Sequence, residues 1–378
     1  MHELDIRMVD LHTQYRKIKD EIDAAIQGVI EKTAFIRGEE VERFREELAA
    51  YLGCRNVIPC ANGTDALQVA MMALGLRPGD EVITTPFTFI STIEVIRLLG
   101  MKPLLIDVDR DTFNLDPELL GRAITGRTRA IVPVHLFGQC AHMEAIMKIA
   151  SEHDLFVIED TAQAIGAIYT FENGTKRNAG TIGNIGTTSF FPSKNLGCFG
   201  DGGALFTNDD QLAEMLKALV NHGMKQRYYY DYVGVNSRLD TIQAAILRVK
   251  LKHLEDYHHA RQQAAGFYDD ALSGIDELSV PVRSGFSSHV FHQYTLKVPP
   301  GIRDELKNWL QDKGIPSVVY YPVPLHMQHA YTDLGYKSGD LPVAEKLSSE
   351  VLSLPMHTEL DEQQLKYITD QIKVFFNS

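Results

Sequence analysis

Between residues 57 and 207 the chain alternates short apolar runs with stretches whose apolar positions recur at helical spacing. Short runs fit buried β-strands, and the longer periodic stretches fit amphipathic helices. Strands that alternate with helices form a mostly parallel sheet with helices on both faces. The pattern therefore predicts an α/β fold with a seven-stranded sheet, whose strands we place at 57–58, 81–85, 103–107, 130–134, 155–159, 187–191 and 203–207.

Helical patterns lie on both sides of this region. Residues 16–31 carry isoleucines at spacing four, which predicts a docking helix with one apolar face. These are Ile18, Ile22, Ile26 and Ile30. Residues 240–270 predict a long helix that leads out of a large domain, which we assign to residues 1–250.

The C-terminal part of the chain has a different pattern. A strand-like segment at 293–298 is followed by helical patterns at 304–313 and 361–375. This mixture predicts a smaller α+β domain, which we assign to residues 251–378.

Composition and charge limit the possible partners. Hydrophobic residues make up 44% and charged residues 23% of the 378 positions, as in an ordinary globular protein. The 37 basic and 50 acidic residues give a formal net charge of −13, which argues against a nucleic-acid partner or an anionic membrane surface. An anionic substrate must therefore be met by a local cluster of donors.

The cysteines and the N-terminus indicate the compartment. Four cysteines, with neither a CxxC pair nor Cys/His spacing, predict reduced thiols, no disulfide and no metal. Charges stand where a signal peptide would have its apolar stretch, and no apolar run approaches the length of a membrane span. We expect a soluble, cytoplasmic protein with no membrane partner.

The chemistry centres on Lys194, which an apolar strand delivers into a glycine-rich turn, with Ser189 just upstream. A second apolar run leads to Asp160 and Gln163. Pyridoxal phosphate needs a carboxylate that keeps its ring nitrogen protonated and a lysine that holds its aldehyde as a Schiff base. The sequence therefore predicts this cofactor, with Asp160 and Lys194 as catalytic residues and Lys194 also as the base that moves a proton.

A phosphate site is predicted where a helix follows the first strand. Gly63, Thr64 and Asp65 lie there, and backbone N–H groups at a helix N-terminus bind anions. Taken alone, the motif fits an ordinary capped helix better; together with Ser189 it favours the phosphate site. The rival is a nucleotide hydrolase with Asp160 as magnesium ligand, but the chain lacks a Gly-x-x-x-x-Gly-Lys-Ser/Thr loop.

Three further residues follow strands or precede a helix. Phe87 either stacks on the pyridine ring or belongs to the core, and the motif alone does not decide. Asn236 and Arg238 precede the long helix at 240–270. Arg238 suits bidentate contact with a carboxylate or phosphate, and a surface salt bridge is equally compatible with the sequence.

A proline-bounded loop carries Tyr320, Tyr321 and His326. Their phenols and imidazole can form hydrogen bonds to a sugar or a phosphate, so we predict that they bind substrate. His326 can instead satisfy only the loop itself.

Together these motifs resemble the DegT/StrS-type sugar aminotransferases, pyridoxal-phosphate enzymes of the aspartate aminotransferase fold (fold type I). The likeness extends over nearly the whole chain, and several motifs in the same order make it far more specific than any one of them. The matching segments are 10–14, 62–65, 79–82, 159–163, 189–203, 236–238 and 321–325.

The resemblance implies a role for each residue near the cofactor ring. Lys194 would form the Schiff base, and Asp160 would pair with the pyridine nitrogen. Gln163 would lie beside the ring, and Phe87 would cover one of its faces.

The resemblance also implies a phosphate site and an assembly. Thr64, Asp65 and Ser189 would hold the phosphate. Family members are usually homodimers with active sites at the interface, and Asn236 would reach the phosphate bound by the partner. A monomer would then be inactive.

Within the family, segment 189–203 is most similar to enzymes that aminate C3 of UDP-2-acetamido-2-deoxy-3-oxo-glucuronate with L-glutamate, for surface polysaccharides such as O-antigen. Arg238 matches the arginine expected to meet the uronate carboxylate. One alternative is an aminotransferase for another keto nucleotide sugar, C4-directed or dTDP-linked. Another is a catalytically silent regulator of the same fold. Sugar dehydratases of this fold look to have histidine in place of the lysine, which Lys194 argues against.

Overall fold

The computed structural model describes residues 5–377, in which strands and helices alternate. The strands are β1 (Asn56–Cys60), β2 (Glu81–Thr84), β3 (Lys102–Leu105), β4 (Thr128–Ile131), β5 (Phe156–Asp160), β6 (Ile168–Thr170), β7 (Lys176–Asn178), β8 (Ile185–Ser189), β9 (Gly203–Thr207), β10 (Met224–Gln226), β11 (Tyr229–Tyr230), β12 (Tyr294–Lys297) and β13 (Val351–Leu354). The helices are α1 (Leu11–Lys17), α2 (Lys19–Lys32), α3 (Glu39–Leu52), α4 (Gly63–Ala73), α5 (Ser91–Leu98), α6 (Pro117–Ala123), α7 (Met143–Glu152), α8 (Asp210–Leu219), α9 (Thr241–Leu251), α10 (Leu254–Leu272), α11 (Ile302–Asp312), α12 (Pro342–Glu350) and α13 (Glu362–Asn377).

The main sheet has seven strands in the order β1-β9-β8-β5-β4-β2-β3. Each predicted apolar run corresponds to one of them, and the predicted α/β fold with a mostly parallel sheet is confirmed. Only β9 runs antiparallel to its neighbours β8 and β1. The segment between β8 and β9, residues 190–202, contains no helix that could carry the chain back across the sheet, so the chain reverses directly. We call this segment the lysine turn.

The parallel strands bring the chemistry to one edge of the sheet. β5 ends at Asp160 and β8 ends at Ser189, and β1 ends at Cys60 just before α4 begins. The carboxyl ends of parallel strands meet at the same edge, which is where ligands bind in open α/β sheets.

The predicted docking helix is observed as α2. Ile18 and Ile22 are buried against Ile246 and Val249 of α9, whereas Ile30 is exposed in the described chain. The helix predicted at 240–270 is instead two helices, α9 and α10. The amides of Lys252 and His253 bond to carbonyls only three residues back, which ends α9 before α10 begins.

A second core surrounds the antiparallel pair β12–β13. Helices α10, α11 and α13 supply most of it, and Ile6 from near the N-terminus joins it. The division into domains at residue 250 stays a prediction. Within residues 5–377, no helix combines the length and the apolar character needed to cross a bilayer.

Candidate active site

Lys194 lies in the lysine turn at the carboxyl edge of the sheet. Its amide N–H donates to the carbonyl of Phe191 at 2.8 Å, and the amide of Cys198 donates to the carbonyl of Phe190 at 2.8 Å. No hydrogen-bond partner of Lys194 Nζ is found in the described part of the chain. Burial lowers the pKa of this amine to about 8, against the opposing effect of Asp160. The amine is therefore available to a ligand and can give up a proton near neutral pH.

Asp160 presents a buried carboxylate at the end of β5. Its Oδ1 accepts the N–H of Ala162 at 3.0 Å, and its Oδ2 accepts the hydroxyl of Thr92 at 3.2 Å. Burial raises the pKa of Asp160, and the Ala162 amide, Lys194 and Thr92 act in the opposite direction. A protonated pyridine nitrogen is the kind of partner that offsets the burial of such a carboxylate.

The phosphate residues predicted from the sequence lie together. The Asn62 side chain caps α4 by accepting the N–H of Asp65 at 2.8 Å. A Cβ on Gly63 would come within 2.7 Å of Ser189 Cβ, so only glycine allows this approach. Thr64 Oγ1 lies 2.8 Å from the hydroxyl of Ser91. A helix N-terminus flanked by hydroxyls fits a phosphate group.

Gln163 and Tyr321 also lie together. Gln163 Oε1 accepts the N–H of Phe137 at 2.9 Å, and its Nε2 donates to Tyr321 Oη at 3.0 Å. Burial raises the pKa of Tyr321, so this phenol stays neutral. The ring of Tyr320 lies edge-on to it, with centroids 6.0 Å apart. The loop that carries both tyrosines therefore borders the site that contains Asp160.

The structure corrects the prediction for Phe87. Its side chain has no accessible surface and packs among the rings of Phe113, Phe137 and Tyr321. A ring with no accessible face cannot cover a cofactor. Phe89 is instead 57% exposed, and it lies two residues before Ser91 and three before Thr92, the partner of Asp160. Both phenylalanines follow the same strand, so the sequence alone did not separate them.

The structure also corrects the prediction that His326 binds substrate. Its side chain is 2% exposed, and Nε2 lies 3.1 Å from Glu345 Oε1 in α12. The carboxylate of Glu345 also accepts the N–H of Gly339. The imidazole therefore holds the loop to α12, as the alternative predicted, and is not available to a substrate.

Ser237 lies between Asn236 and Arg238, and its Oγ accepts the N–H of Ala61 at 3.1 Å. This bond places the segment beside the turn between β1 and α4. The side chain of Asn236 is exposed and forms no hydrogen bond to the rest of chain 5–377. Among the described residues, the Arg238 side chain makes a single long hydrogen bond, 3.4 Å from Nη1 to Asn221 Oδ1. Neither side chain is hydrogen-bonded to Lys194 or Ser189 of the same chain.

Comparison with curated proteins finds relatives over nearly the full length. The chain is 47% identical over 363 residues, 96% of the chain and 98% of the relative, to UDP-2-acetamido-2-deoxy-3-oxo-D-glucuronate aminotransferase of Pseudomonas aeruginosa. It is 47% identical over 375 residues, 99% of each, to a protein of Geobacillus stearothermophilus named pleiotropic regulatory protein. It is 39% identical over 368 residues, 97% of the chain and 95% of the relative, to dTDP-3-amino-3,4,6-trideoxy-alpha-D-glucose transaminase of Streptomyces venezuelae.

Solved structures share the fold. A Streptomyces venezuelae protein, DesV, solved with a ketimine intermediate, superposes with a TM-score of 0.95 at 39% identity, covering 99% of both chains. NtdA of Bacillus subtilis, solved with bound pyridoxamine phosphate, superposes with a TM-score of 0.89 at 31% identity, covering 96% of this chain and 82% of the other.

The model of the DegT/DnrJ/EryC1/StrS aminotransferase family matches residues 16–373. The amine of Lys194, which Asp160 influences electrostatically, and the helix start at Gly63 beside Ser189 fit pyridoxal phosphate, and the cofactor prediction is confirmed. The chain belongs to the DegT/DnrJ/EryC1/StrS aminotransferase family and is a pyridoxal-phosphate-dependent sugar aminotransferase.

Proposed function

We propose that the protein transfers the amino group of L-glutamate to C3 of UDP-2-acetamido-2-deoxy-3-oxo-glucuronate, for a surface polysaccharide such as O-antigen. The observation that carries this proposal is the 47% identity to the Pseudomonas aeruginosa aminotransferase, which extends over 96% of the chain. The partly exposed guanidinium of Arg238 supports it, because its weak contact to Asn221 leaves donors for a uronate carboxylate.

Different residues of the chain bind the cofactor and move the proton. Pyridoxal phosphate, when bound, supplies an electron sink for the bond changes at the amine-bearing carbon. Asp160 keeps the ring nitrogen protonated, and Lys194 both holds the cofactor and moves the proton at Nζ. A lysine whose pKa lies near 8 can accept and return a proton near neutral pH, which an ordinary lysine does poorly. Gly63, Thr64, Asp65 and Ser189 hold the phosphate.

The remaining surfaces support a homodimer. Large apolar side chains are exposed around the site, among them Phe35, Ile36, Phe191 and Phe199. Such a patch is typical of an interaction surface. The free amide of Asn236 fits the predicted contact with the phosphate bound by a second copy. The active site would then combine Lys194 of one subunit with Asn236 of the other.

Two half-reactions test the function. L-Glutamate is added to the purified protein, and the visible band of the cofactor is expected to bleach. The 3-keto UDP-uronic acid is then expected to restore it. D-Glutamate and the Lys194→Ala variant serve as controls and should leave the band unchanged; Lys217→Ala, an exposed lysine, should behave as wild type. A Lys194→Ala variant with steady turnover would contradict the mechanism.

The relatives favour two alternatives, and the same assay separates them. The dTDP-sugar transaminase at 39% identity favours another keto nucleotide sugar. A panel of keto sugars, compared by kcat/KM, would then show the highest value for a dTDP or C4-keto substrate. The relative named pleiotropic regulatory protein favours a silent regulator. A cofactor band that responds to no amino donor would support that alternative and reject ours.

Mixing variants tests the shared site. Lys194→Ala and Asn236→Ala are each expected to be inactive as homodimers. After the two are unfolded and refolded together, half of the dimers are mixed, and each mixed dimer has one site with both native residues. Activity should return to about a quarter of the wild-type value. No recovery from a mixture shown to contain mixed dimers would reject the shared site.

A further inference from the structure

Lys250 is a buried lysine outside the set of residues assigned to the cofactor. It lies near the end of α9 with a side chain that is 2% exposed. Its Nζ donates to the carbonyl of Gly197 at 2.6 Å and lies 5.8 Å from the ring centre of Phe199. Lysines are rarely buried without a strong reason, and the carbonyl it meets lies in the lysine turn.

A second residue of α9 holds the same stretch of backbone. Gln243 Oε1 accepts the N–H of Phe199 at 2.8 Å, and Gln243 Nε2 donates to the carbonyl of Phe199 at 3.3 Å. Lys250 and Gln243 therefore connect α9 to the lysine turn at Gly197 and at Phe199, on either side of Cys198.

The helix that makes these contacts is itself well anchored. Arg248 of α9 is paired with Glu40 and Glu47 of α3. The apolar side chains of Ile246 and Val249 pack on α2. A site is held most precisely when its supports lie on rigid elements, and α9 meets that condition.

Tight packing transmits the position of Gly197 to Lys194. A Cβ on Gly197 would clash with the carbonyl oxygens of Phe191 and Pro192. The carbonyl of Phe191 is the acceptor of the Lys194 amide. The backbone held by Lys250 is therefore in direct contact with the backbone that sets the direction of Lys194.

We propose that Lys250 is a positioning residue for Lys194: its buried amine fixes the lysine turn to α9 and so holds Lys194 in place relative to Asp160. The role is distinct from cofactor binding, because Lys250 contacts the turn and not the phosphate residues. The inference rests on the function proposed for Lys194.

Lys250→Met tests it, with Lys252→Met as matched control. Lys252 is the next lysine in the chain; it is exposed, and its one ion pair within residues 5–377 is with Glu21. In the cofactor-free protein, Lys250→Met should speed hydrogen exchange of the turn amides at Lys194 and Cys198 about tenfold or more, because the carbonyl of Gly197 loses its buried donor. In the holoenzyme, kcat should fall while KM for L-glutamate stays unchanged. Lys252→Met should change neither.

A second readout separates positioning from simple loss of stability. The pH dependence of Lys194 acylation in the cofactor-free protein reports the pKa of Lys194. It is measured well below the unfolding temperature, so the protein stays folded. In Lys250→Met this pKa should rise from about 8, because a loosened turn rehydrates the amine. A folded Lys250→Met protein with wild-type exchange and wild-type Lys194 titration would overturn the proposal.

If Lys250→Met does not fold, hydrogen exchange in the wild-type protein tests whether Lys250 holds the lysine turn. The turn amides of Lys194 and Cys198 should then exchange as slowly as those of α9, and much faster exchange in the turn would overturn the proposal. Exchange and acylation need no substrate, so they report on Lys250 even if the proposed reaction is wrong. The proposed reaction is tested separately: if the Lys194→Ala variant retains turnover, the proposed function is wrong.

Discussion

His135 and Glu159 form a fully buried hydrogen-bonded pair next to Asp160, the candidate catalytic carboxylate, with 3.0 Å between His135 Nε2 and Glu159 Oε2. The amide of Ala141 donates to His135 Nδ1, so Nε2 carries the proton and donates to Glu159. The carboxylate of Glu159 also accepts three amides, those of Gly180, Ile182 and Gly183. Because Asp160 follows Glu159 in β5, this network fixes the strand end that presents the Asp160 carboxylate.

We predict that Glu159→Gln destabilises the fold by about 3 kcal/mol. The amide of glutamine has the same shape, but one of its ends is a donor that faces other donors. Urea unfolding of the cofactor-free protein measures the change. The control is Glu214→Gln, whose exposed pair with Lys217 should be worth less than about 0.5 kcal/mol. Equal losses in both variants would contradict the role given to the buried network.

The close approach of Gly63 to Ser189 gives a second prediction. Gly63→Ala should weaken the affinity for pyridoxal phosphate about tenfold or more, because the added Cβ pushes α4 away from Ser189 and widens the phosphate site. Absorbance titration of the cofactor-free protein measures the dissociation constant.

Gly266→Ala is the matched control for that change. Gly266 lies within α10, and a Cβ there would meet nothing within 4 Å. Alanine should stabilise this helix by about 0.5 to 1 kcal/mol and leave cofactor affinity unchanged. Wild-type affinity in Gly63→Ala would show that the phosphate binds elsewhere.

The sequence predicted the sheet well because most strand residues are buried and several strands contain short apolar runs, such as Ala-Leu-Phe in β9. It also predicted the neighbourhood of Lys194, Asp160, Gly63 and Ser189, because each lies at or just after the carboxyl end of a strand, and the carboxyl ends of parallel strands meet. These predictions needed only local pattern and one topological rule.

Predictions that depended on side-chain direction failed. Phe87 and Phe89 are the same residue type on either side of Thr88, and only the packed structure shows which one is buried. The sequence left both roles of His326 open, because its partner, Glu345, lies 19 residues away in the chain. The supporting roles of His135 and Lys250 likewise come from tertiary contacts with no sequence signature.

Mutation of the two phenylalanines after β2, Phe87 and Phe89, should affect different properties of the protein. Phe87→Ala removes a fully buried ring and should cost about 3 to 5 kcal/mol of stability. Phe89→Ala should cost little stability and should instead weaken cofactor binding about fivefold, because we infer that Phe89 supplies the ring contact. Thermal unfolding and cofactor titration on both variants measure the two effects. The opposite assignment would restore Phe87 as the residue over the ring.

The electrostatic influence of Asp160 on Lys194 predicts a specific pH dependence. Burial brings the pKa of Lys194 to about 8, below its ordinary value of 10.5, and Asp160 opposes that shift. Acylation of Lys194 in the cofactor-free protein should therefore be half-maximal near pH 8, because only the neutral amine reacts. Asp160→Asn removes the opposing charge and should move the midpoint to lower pH. The exposed Asp276→Asn should leave it unchanged, and a midpoint that rises in Asp160→Asn would contradict the pairing.

The lowered pKa of Lys194 also makes the free energy of unfolding depend on pH. Between about pH 8 and 10.5 the unfolded chain holds the Lys194 proton and the folded chain has released it, so the free energy of unfolding rises with pH across this window. Below pH 8 the folded protein contains a buried charged amine, which is unfavourable. Lys194→Met should therefore gain stability over wild type most clearly below pH 8, and the gain should shrink as pH rises toward 10.5. Urea unfolding of both cofactor-free proteins at several pH values measures this difference, and a gain that grows with pH would mean that Lys194 is not held in a desolvated site.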